Sequence, residues 1–415
     1  MPHISSNKNK LTIYILLAMM AGVLLGYIVH EKSSSSFIIS FSDNIKLLTT
    51  IFLRLVQMII APLVFSTLVV GIAKLGDLKT VGRIGGKALL WFVSASVVSL
   101  LIGLLLVNYF RPGAAINLSI ADSAGAKDLM TNTRQFSLAN FVEHVFPKSI
   151  FESMASNEIL QIVIFSVFFG IAATAIGEYA KPVIKALEGV SHIILKMVGY
   201  VMKFAPLGVF GAIAAVIATK GLEIFSFYGQ YLLFFVIGIF VLWLVLISVG
   251  YLILKNRIPS LLKRIAQPLL IAFSTTSSEA VFPKLTEELE RFGCPEKIVA
   301  FTLPLGYSFN LDGSMMYMTF ASIAIAQAYG INMDSGTQIT MLFVLMLTSK
   351  GIAGVPRAAL VVVLATCSMF NIPPEGIALI LPIDHFCDMF RTMTNVLGNA
   401  LATSAVSKWE GELAN

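Results

Sequence analysis

The chain has 415 residues, 57% of them hydrophobic and 13% charged, with a formal net charge of +6 and a mean hydropathy of +0.86. A soluble domain carries about a quarter charged residues, so this composition cannot keep an ordinary surface wet. The basic surplus is scattered among short loops, so no nucleic-acid partner is expected. Cys294, Cys367 and Cys387 are an odd set without ligand spacing, which argues against a disulfide framework or a zinc site.

Lys8 and Lys10 precede an apolar run over residues 11–29. The run spans about 30 Å of hydrocarbon, exceeds a signal-peptide core and has no small-x-small cleavage site behind it, so it reads as an uncleaved first membrane helix. Further spanning runs are expected near 46–73, 85–110, 159–177, 190–218 and 226–254. Basic residues gather after the second, fourth and sixth of these helices: Lys74, Lys79, Arg83 and Lys87, then Lys181 and Lys185, then Lys255, Arg257, Lys263 and Arg264. The opposite loops are poorer in charge, although Arg111, Lys127 and Arg134 lie in one. The positive-inside rule then puts both termini in the cytoplasm.

From about residue 259 the pattern changes. Polar residues break the apolar runs at 274–279 (STTSSE), 310–314 (NLDGS) and 349–357 (SKGIAGVPR). Backbone freed inside a bilayer has no water to bond, so such breaks survive only in protein or around a polar cavity. The first and third breaks each lie between two short apolar arms, as in a re-entrant helical hairpin, and each hairpin precedes a longer helix. That repetition is the pattern of an inverted-repeat transporter.

A charge at the bilayer centre costs at least about 2.5–3.5 kcal/mol, so Asp312, Asp388 and Arg391 are expected to face one another, a ligand or an ion. Asp388 and Arg391 stand three apart on one helical face, which Asn395 and Asn399 extend. This face suits a zwitterion with a second carboxylate: Asp388 for the ammonium, Arg391 for a two-pronged grip on the side-chain carboxylate. The hairpin tips supply helix N-termini and serine hydroxyls for the remaining carboxylate. Carbonyls freed around Asn310–Ser314, with Asp312, are candidate ligands of a small cation. Taken singly, these residues also admit structural roles: an intrahelical ion pair at Asp388 and Arg391, a packing kink at Gly351, Gly354 and Pro356, helix–helix hydrogen bonding by the Ser/Thr run, and a satisfied structural carboxylate at Asp312. Arg54, near Gln57, reads as a snorkelling or interface residue. His144 and His192 lack metal-ligand partners, and His385 reads as a packing residue. No nucleophile–base pattern points to an enzyme. An anion channel is the remaining alternative class.

With these motifs on the page, the chain resembles the dicarboxylate/amino acid:cation symporters, the glutamate transporter family, in its bacterial proton/glutamate-aspartate branch. The resemblance covers nearly the whole length. It is carried by RLVQMIIAPLVF at 54–65, the serine-rich first hairpin, NLDGS at 310–314 for the family's N-M-D-G-T, GVPR at 354–357, and DMFRTMTNVLGN at 388–399. It implies an all-α membrane protein of about eight transmembrane helices and two re-entrant hairpins, assembled as a homotrimer in the bacterial inner membrane among its lipids. It also implies a scaffold of about 11–74 and 130–220, and a transport part of about 85–112, 226–254 and 259–410 that moves as an elevator. The second hairpin would be the extracellular gate. Carried over by position, Ser277 and Ser278 would meet the α-carboxylate of L-glutamate or L-aspartate. Asp388 and Thr392 would meet its amino group, Asn395 the α-carboxylate, Arg391 and Ser314 the side-chain carboxylate. Val355 and Ala359 would line the gate. An Asp at 388 favours an amino acid over succinate or malate, because members carrying the latter replace it.

The coupling ion is where the sequence departs from the family's sodium-coupled pattern. Asn399 stands where those members carry an Asp; an amide can ligate Na⁺, but without a charge. Phe92 and Ala95 stand where a Tyr and a Thr are usual, while Ser96 is kept. Gly306, Ser308, Asn310, Asp312, Leu311, Ser349, Lys350, Ile352, Asn395 and Asn399 are the positions left to hold a sodium ion. The animal transporters' proton-carrying Glu is here Met318. Proton coupling is therefore expected, with sodium as the alternative, and no cofactor. Two readings of Glu279 at the first hairpin tip stand side by side: a proton-dependent contact with Arg357 across the closed gate, or two solvent-facing side chains.

Overall fold

Helices account for 89% of the structure, and no strand occurs among the described residues, as expected where lipid leaves the backbone no partner but itself. The computed structural model describes residues 8–75, 78–115, 146–222, 224–349, 358–373, 376–381 and 383–414. Helices α1 (Lys8–Lys32), α2 (Ser35–Leu75) and α3 (Leu78–Phe110) come first. They are followed by α4 (Ile150–Ala155), α5 (Ile159–Ile176), α6 (Lys181–Val201), α7 (Ala205–Lys220) and α8 (Ile224–Leu254). Next, α9 (Ile258–Thr275) and α10 (Phe282–Phe292) fold back on each other, and α11 (Glu296–Phe309) and α12 (Asp312–Ala328) are two halves of one broken helix. A second hairpin pairs α13 (Ser335–Thr348) with α14 (Ala358–Met369), and the short α15 (Ile377–Ile380) leads into α16 (Asp384–Trp409). Among the described residues, five stretches are long and apolar enough to cross a bilayer: Ile13–Lys32, Ser35–Ala73, Lys79–Phe110, Leu160–Thr219 and Tyr228–Thr275.

Both hairpins and the broken helix stand where the polar interruptions placed them. The tip of the second hairpin, with Lys350, Ile352, Gly354, Val355 and Arg357, lies outside the described residues.

The helices sort by what they touch. α2 packs on α5, α6 and α7, while α1 runs along α7. α16 gathers α8, α9, α11 and α12 around it, and α3 leans on α8, α11 and α12. The two groups meet where α11 and the first hairpin's tip press on α2. Small residues set the closeness of the first group. A Cβ at Gly22 would stand 3.0 Å from the Phe210 carbonyl oxygen, and one at Gly26 2.7 Å from that of Ala214. This is helix packing by backbone approach, which replaces the missing hydrophobic drive between helices in lipid.

A short segment after α16 ties the second group together at one end. Arg83 donates through Nε and Nη2 to the Glu410 carboxylate at 3.0 and 2.8 Å, and Lys87 Nζ lies 2.7 Å from its other oxygen. Trp91 packs on Trp409. Lys297 pairs with Glu412 at 2.7 Å, and Ala414 N–H donates to the Gly293 carbonyl at 2.9 Å. Arg257 donates to the carbonyls of Ala414 and Phe292 while stacking on the Phe292 ring. One segment therefore fastens α3, α11 and both feet of the first hairpin.

Candidate functional site

The site is built on α16, where the sequence puts polar side chains on one face of a helix packed on four others. Arg391 is its centre, with a side chain only 4% exposed. Its Nε donates to Asp388 Oδ1 at 2.7 Å and its Nη1 to Asp384 Oδ1 at 3.0 Å. Its guanidinium lies over the Tyr317 ring, 4.6 Å from the centroid, and the Tyr317 hydroxyl donates to Asp384 Oδ1 at 2.8 Å. A buried guanidinium needs this degree of pairing, since an unpaired one would cost several kcal/mol.

Asp388 is the more open carboxylate, 23% exposed. Its Oδ1 accepts from Arg391 and from Thr392 Oγ1 at 3.0 Å. With the three side chains ionised, Asp384, Asp388 and Arg391 carry one net negative charge.

One turn on, Asn395 reaches the break between α11 and α12. Its Oδ1 accepts from Gly313 N at 2.9 Å and Ser314 N at 3.2 Å, and its Nδ2 donates to Ser314 Oγ at 3.1 Å. It thus satisfies N–H groups at the start of α12 that a helix cannot pair internally. The sequence reading gave Asn395 to the ligand's α-carboxylate; its amide also bonds the broken helix, holding Ser314 beside the Arg391 face. Gly313 is required, because a Cβ there would run into the Arg391 backbone.

A second cluster lies deeper. Asn310 Nδ2 donates to Asp312 Oδ2 at 3.2 Å and to Asn399 Oδ1 at 3.3 Å, and all three residues are buried. Asn310 Oδ1 and Asn399 Nδ2 have no hydrogen-bond partner among the described residues. Gly306 and Gly398 make room for the cluster: a Cβ at Gly306 would collide with Asn399 Oδ1, and one at Gly398 with Asp312 Oδ2. Phe92 also borders it, its ring edge 3.6 Å from where a Gly306 Cβ would stand. Ser308 and Ser349 are buried, and Met318 is buried along α12. Asn310 Oδ1 and the Asp312 carboxylate are oxygens of the kind a small hard cation takes, and Asn399 would offer its Oδ1 rather than its Nδ2.

The first hairpin's tip carries Ser277, Ser278 and Glu279, all half-buried. Thr276 bends the chain with φ 51°, and Ala280 N–H donates to Ser277 Oγ at 3.2 Å. These bonds stay within the hairpin. Phe273, just before the tip, packs edge-on to Phe390 beside Arg391, with centroids 5.1 Å apart. Glu279 lies near Gln57 of α2, where the hairpin tip meets the other helix group. Its expected partner Arg357 lies outside the described residues, as does the gate residue Val355; Ala359 is buried at the start of α14. Arg54 is exposed on α2.

Asp384, Tyr317 and Gln57 belong to the site but received no role from the sequence. Asp384 had a local signal, standing seven residues, or about two turns, before Arg391 on the same helix. Gln57 and Tyr317 had none, being brought in from other elements.

A multi-pass helical membrane protein with an acid–guanidinium site set beside a broken helix and a helical hairpin has the build of a transporter. The chain belongs to the sodium:dicarboxylate symporter family, whose model matches residues 11–409. It is 40% identical over 403 residues to a "Proton/sodium-glutamate symport protein" of Bacillus caldotenax, covering 96% of this chain and 94% of the relative. It is also 40% identical over 416 residues to a "C4-dicarboxylate transport protein" of Laribacter hongkongensis (strain HLHK9), covering 98% and 90%. A C4-dicarboxylate transport protein of Bacillus subtilis (strain 168) is 36% identical over 97% of this chain. Similarity is therefore shared between two substrate classes.

Proposed function

We propose that this protein is a proton-coupled symporter of acidic amino acids, L-glutamate and L-aspartate. The observation that carries the reading is the Asp384–Arg391–Asp388 group. Arg391 offers a carboxylate-binding cation, and the half-open Asp388 offers a partner for an ammonium. With all three side chains ionised the group is net negative, so an acidic zwitterion adds like charge to a low-dielectric pocket, which is costly unless a cation enters too. Symport with a cation is the physical remedy.

Substrate recognition is assigned to Ser277, Ser278, Ser314, Val355, Ala359, Asp388, Arg391, Thr392 and Asn395, the last also holding Ser314 in place. Glu279 is the proton carrier in this reading, moving past Gln57 as the transport part slides on α2. The elevator division follows the two helix groups: α1, α2, α4, α5, α6 and α7 as scaffold, with α3 and everything from α8 onward as the moving part. A homotrimer in a bacterial inner membrane, both termini cytoplasmic, completes the reading. The Asn310–Asp312–Asn399 cluster favours a second reading in which Na⁺ is the driving ion, ligated by these oxygens with carbonyls near Gly306, Ser308 and Ser349.

Uptake of labelled glutamate, aspartate and succinate into proteoliposomes, with pH and sodium gradients imposed separately, tests both readings. The expectation is accumulation of the amino acids driven by an inward proton gradient, with counterflow. Accumulation of succinate alone would overturn the substrate, and sodium-only drive the coupling ion. Glu279→Gln is expected to abolish pH-driven uptake while sparing exchange.

A further inference from the structure

The face of α6 and α7 turned away from the rest of the chain has a composition that no step of transport uses. Ile193, Lys196, Tyr200, Lys203 and Leu207 recur at intervals of three and four residues and are all exposed, Ile193 at 64%, Tyr200 at 55% and Leu207 at 51%. Opposite them, Ile194, Val198 and Val201 are buried. Lys196 Nζ lies 5.6 Å and Lys203 Nζ 5.7 Å from the centroid of the same Tyr200 ring. Two ammonium groups thus share one aromatic ring, and neither pairs with a carboxylate among the described residues. Between residues 181 and 222 the only acid is Glu188, against five lysines. Like charges held together need an anion from elsewhere.

The depth of this face follows from the register of α1 on α7. Gly22 packs at Phe210 and Ala214, Gly26 at Ala214 and Ala218, and His30 Nδ1 lies 2.8 Å from the Ala218 carbonyl oxygen. The helices therefore run parallel, with an offset of about 190 residues. Carried back along α1, Leu11, where the apolar span opens after Lys8 and Lys10, is level with about Val201. Continued through the turn at Met202–Phe204, that register sets Tyr200 and its two lysines level with the start of the apolar span, with Leu207 and the 46%-exposed Phe204 toward the hydrocarbon side. A tyrosine at that depth is an interfacial anchor, and lysines there meet headgroups.

We infer that Lys196, Tyr200 and Lys203 form a binding site for the phosphodiester headgroup of an anionic phospholipid in the leaflet that holds the start of α1. Its acyl chains lie along Phe204 and Leu207. That this leaflet is cytoplasmic rests on the orientation proposed above; the site itself does not.

Full-length protein in nanodiscs of phosphatidylcholine doped with phosphatidylglycerol, followed by native mass spectrometry and thermal unfolding, tests the inference. The wild type is expected to retain phosphatidylglycerol several-fold over its share of the bilayer and to unfold at higher temperature than in phosphatidylcholine alone. Lys196→Gln/Lys203→Gln is expected to lose both effects while keeping counterflow activity, which separates this site from the transport reading. Equal phosphatidylglycerol retention by the double variant overturns the proposal. So does a double variant that changes oligomeric state without any lipid dependence, since the face would then join copies of the chain. Tyr200→Leu, which keeps both charges, is expected to weaken retention less than the double variant does.

Discussion

Arg391 is held by two carboxylates and an aromatic face, so truncating it does more than remove a ligand contact. Arg391→Ala leaves the buried Asp384 and the half-open Asp388 without their guanidinium and is expected to cost about 3–5 kcal/mol of stability besides abolishing uptake. Adding Asp384→Asn should restore part of the stability and none of the uptake, read by thermal unfolding and transport of the same samples. Asn395→Ala strips the acceptor from Gly313 N and Ser314 N; about 1–3 kcal/mol is expected for the donors left bare. Its effect on substrate should appear as weaker binding through a displaced Ser314. Asp388 and Arg391 were legible in the sequence because their relation is local, three residues along one helix. Asn395 was legible as a site residue on the same face, but its bond to Ser314, 81 residues away, crosses a packing interface that no local pattern encodes.

At the scale of single elements, α10 shows how charge is managed in a hairpin. Lys284 pairs with Glu287 and Glu288 at 2.6 and 3.1 Å, and Arg291 lies beside both acids. Glu290 has no such partner among the described residues. Burial and the nearby Glu296 and Glu287 push its carboxyl up to about 7. Because the folded value lies above the unfolded one, ionised Glu290 destabilises the fold. The penalty grows as pH rises from about 4.5 and is complete above about 7. Glu290→Gln is therefore expected to raise the unfolding temperature at pH 8, by up to about 3 kcal/mol of stability, and to leave it unchanged at pH 4. The hairpins themselves were legible because lipid forbids an exposed break, so STTSSE at 274–279 in an apolar run permits few structures. How closely α1 approaches α7 was not: Gly22 and Gly26 have the spacing of a packing motif, but the partner helix is far away in sequence. Gly26→Leu is expected to destabilise the protein through its collision with Ala214, measured by unfolding in detergent.

Across the whole molecule, apolar runs and loop charges indicated the helices, while the ties between distant ends emerged only in three dimensions. Glu410 illustrates this, since its partners Arg83 and Lys87 lie more than 300 residues earlier. Hydrogen bonding from Arg83 holds its carboxyl below the usual carboxylate range. A lowered folded value stabilises the native state above the unfolded value of about 4.5, and the benefit disappears as pH falls through the folded one. Glu410→Gln is expected to lower the unfolding temperature at pH 7, with the difference from wild type fading in acid.

The bonds made by Arg257 and Ala414 give that far end leverage on the pocket. The 18 residues of α9, with Pro268 inside the helix, run about 27 Å from a root beside Ala414 to an end just before Ser277 and Ser278. A small tilt at the root is delivered to those serines as a displacement of the tip. Charge changes at Glu410 and Glu412 should accordingly alter the apparent KM for substrate, even though neither side chain comes near it.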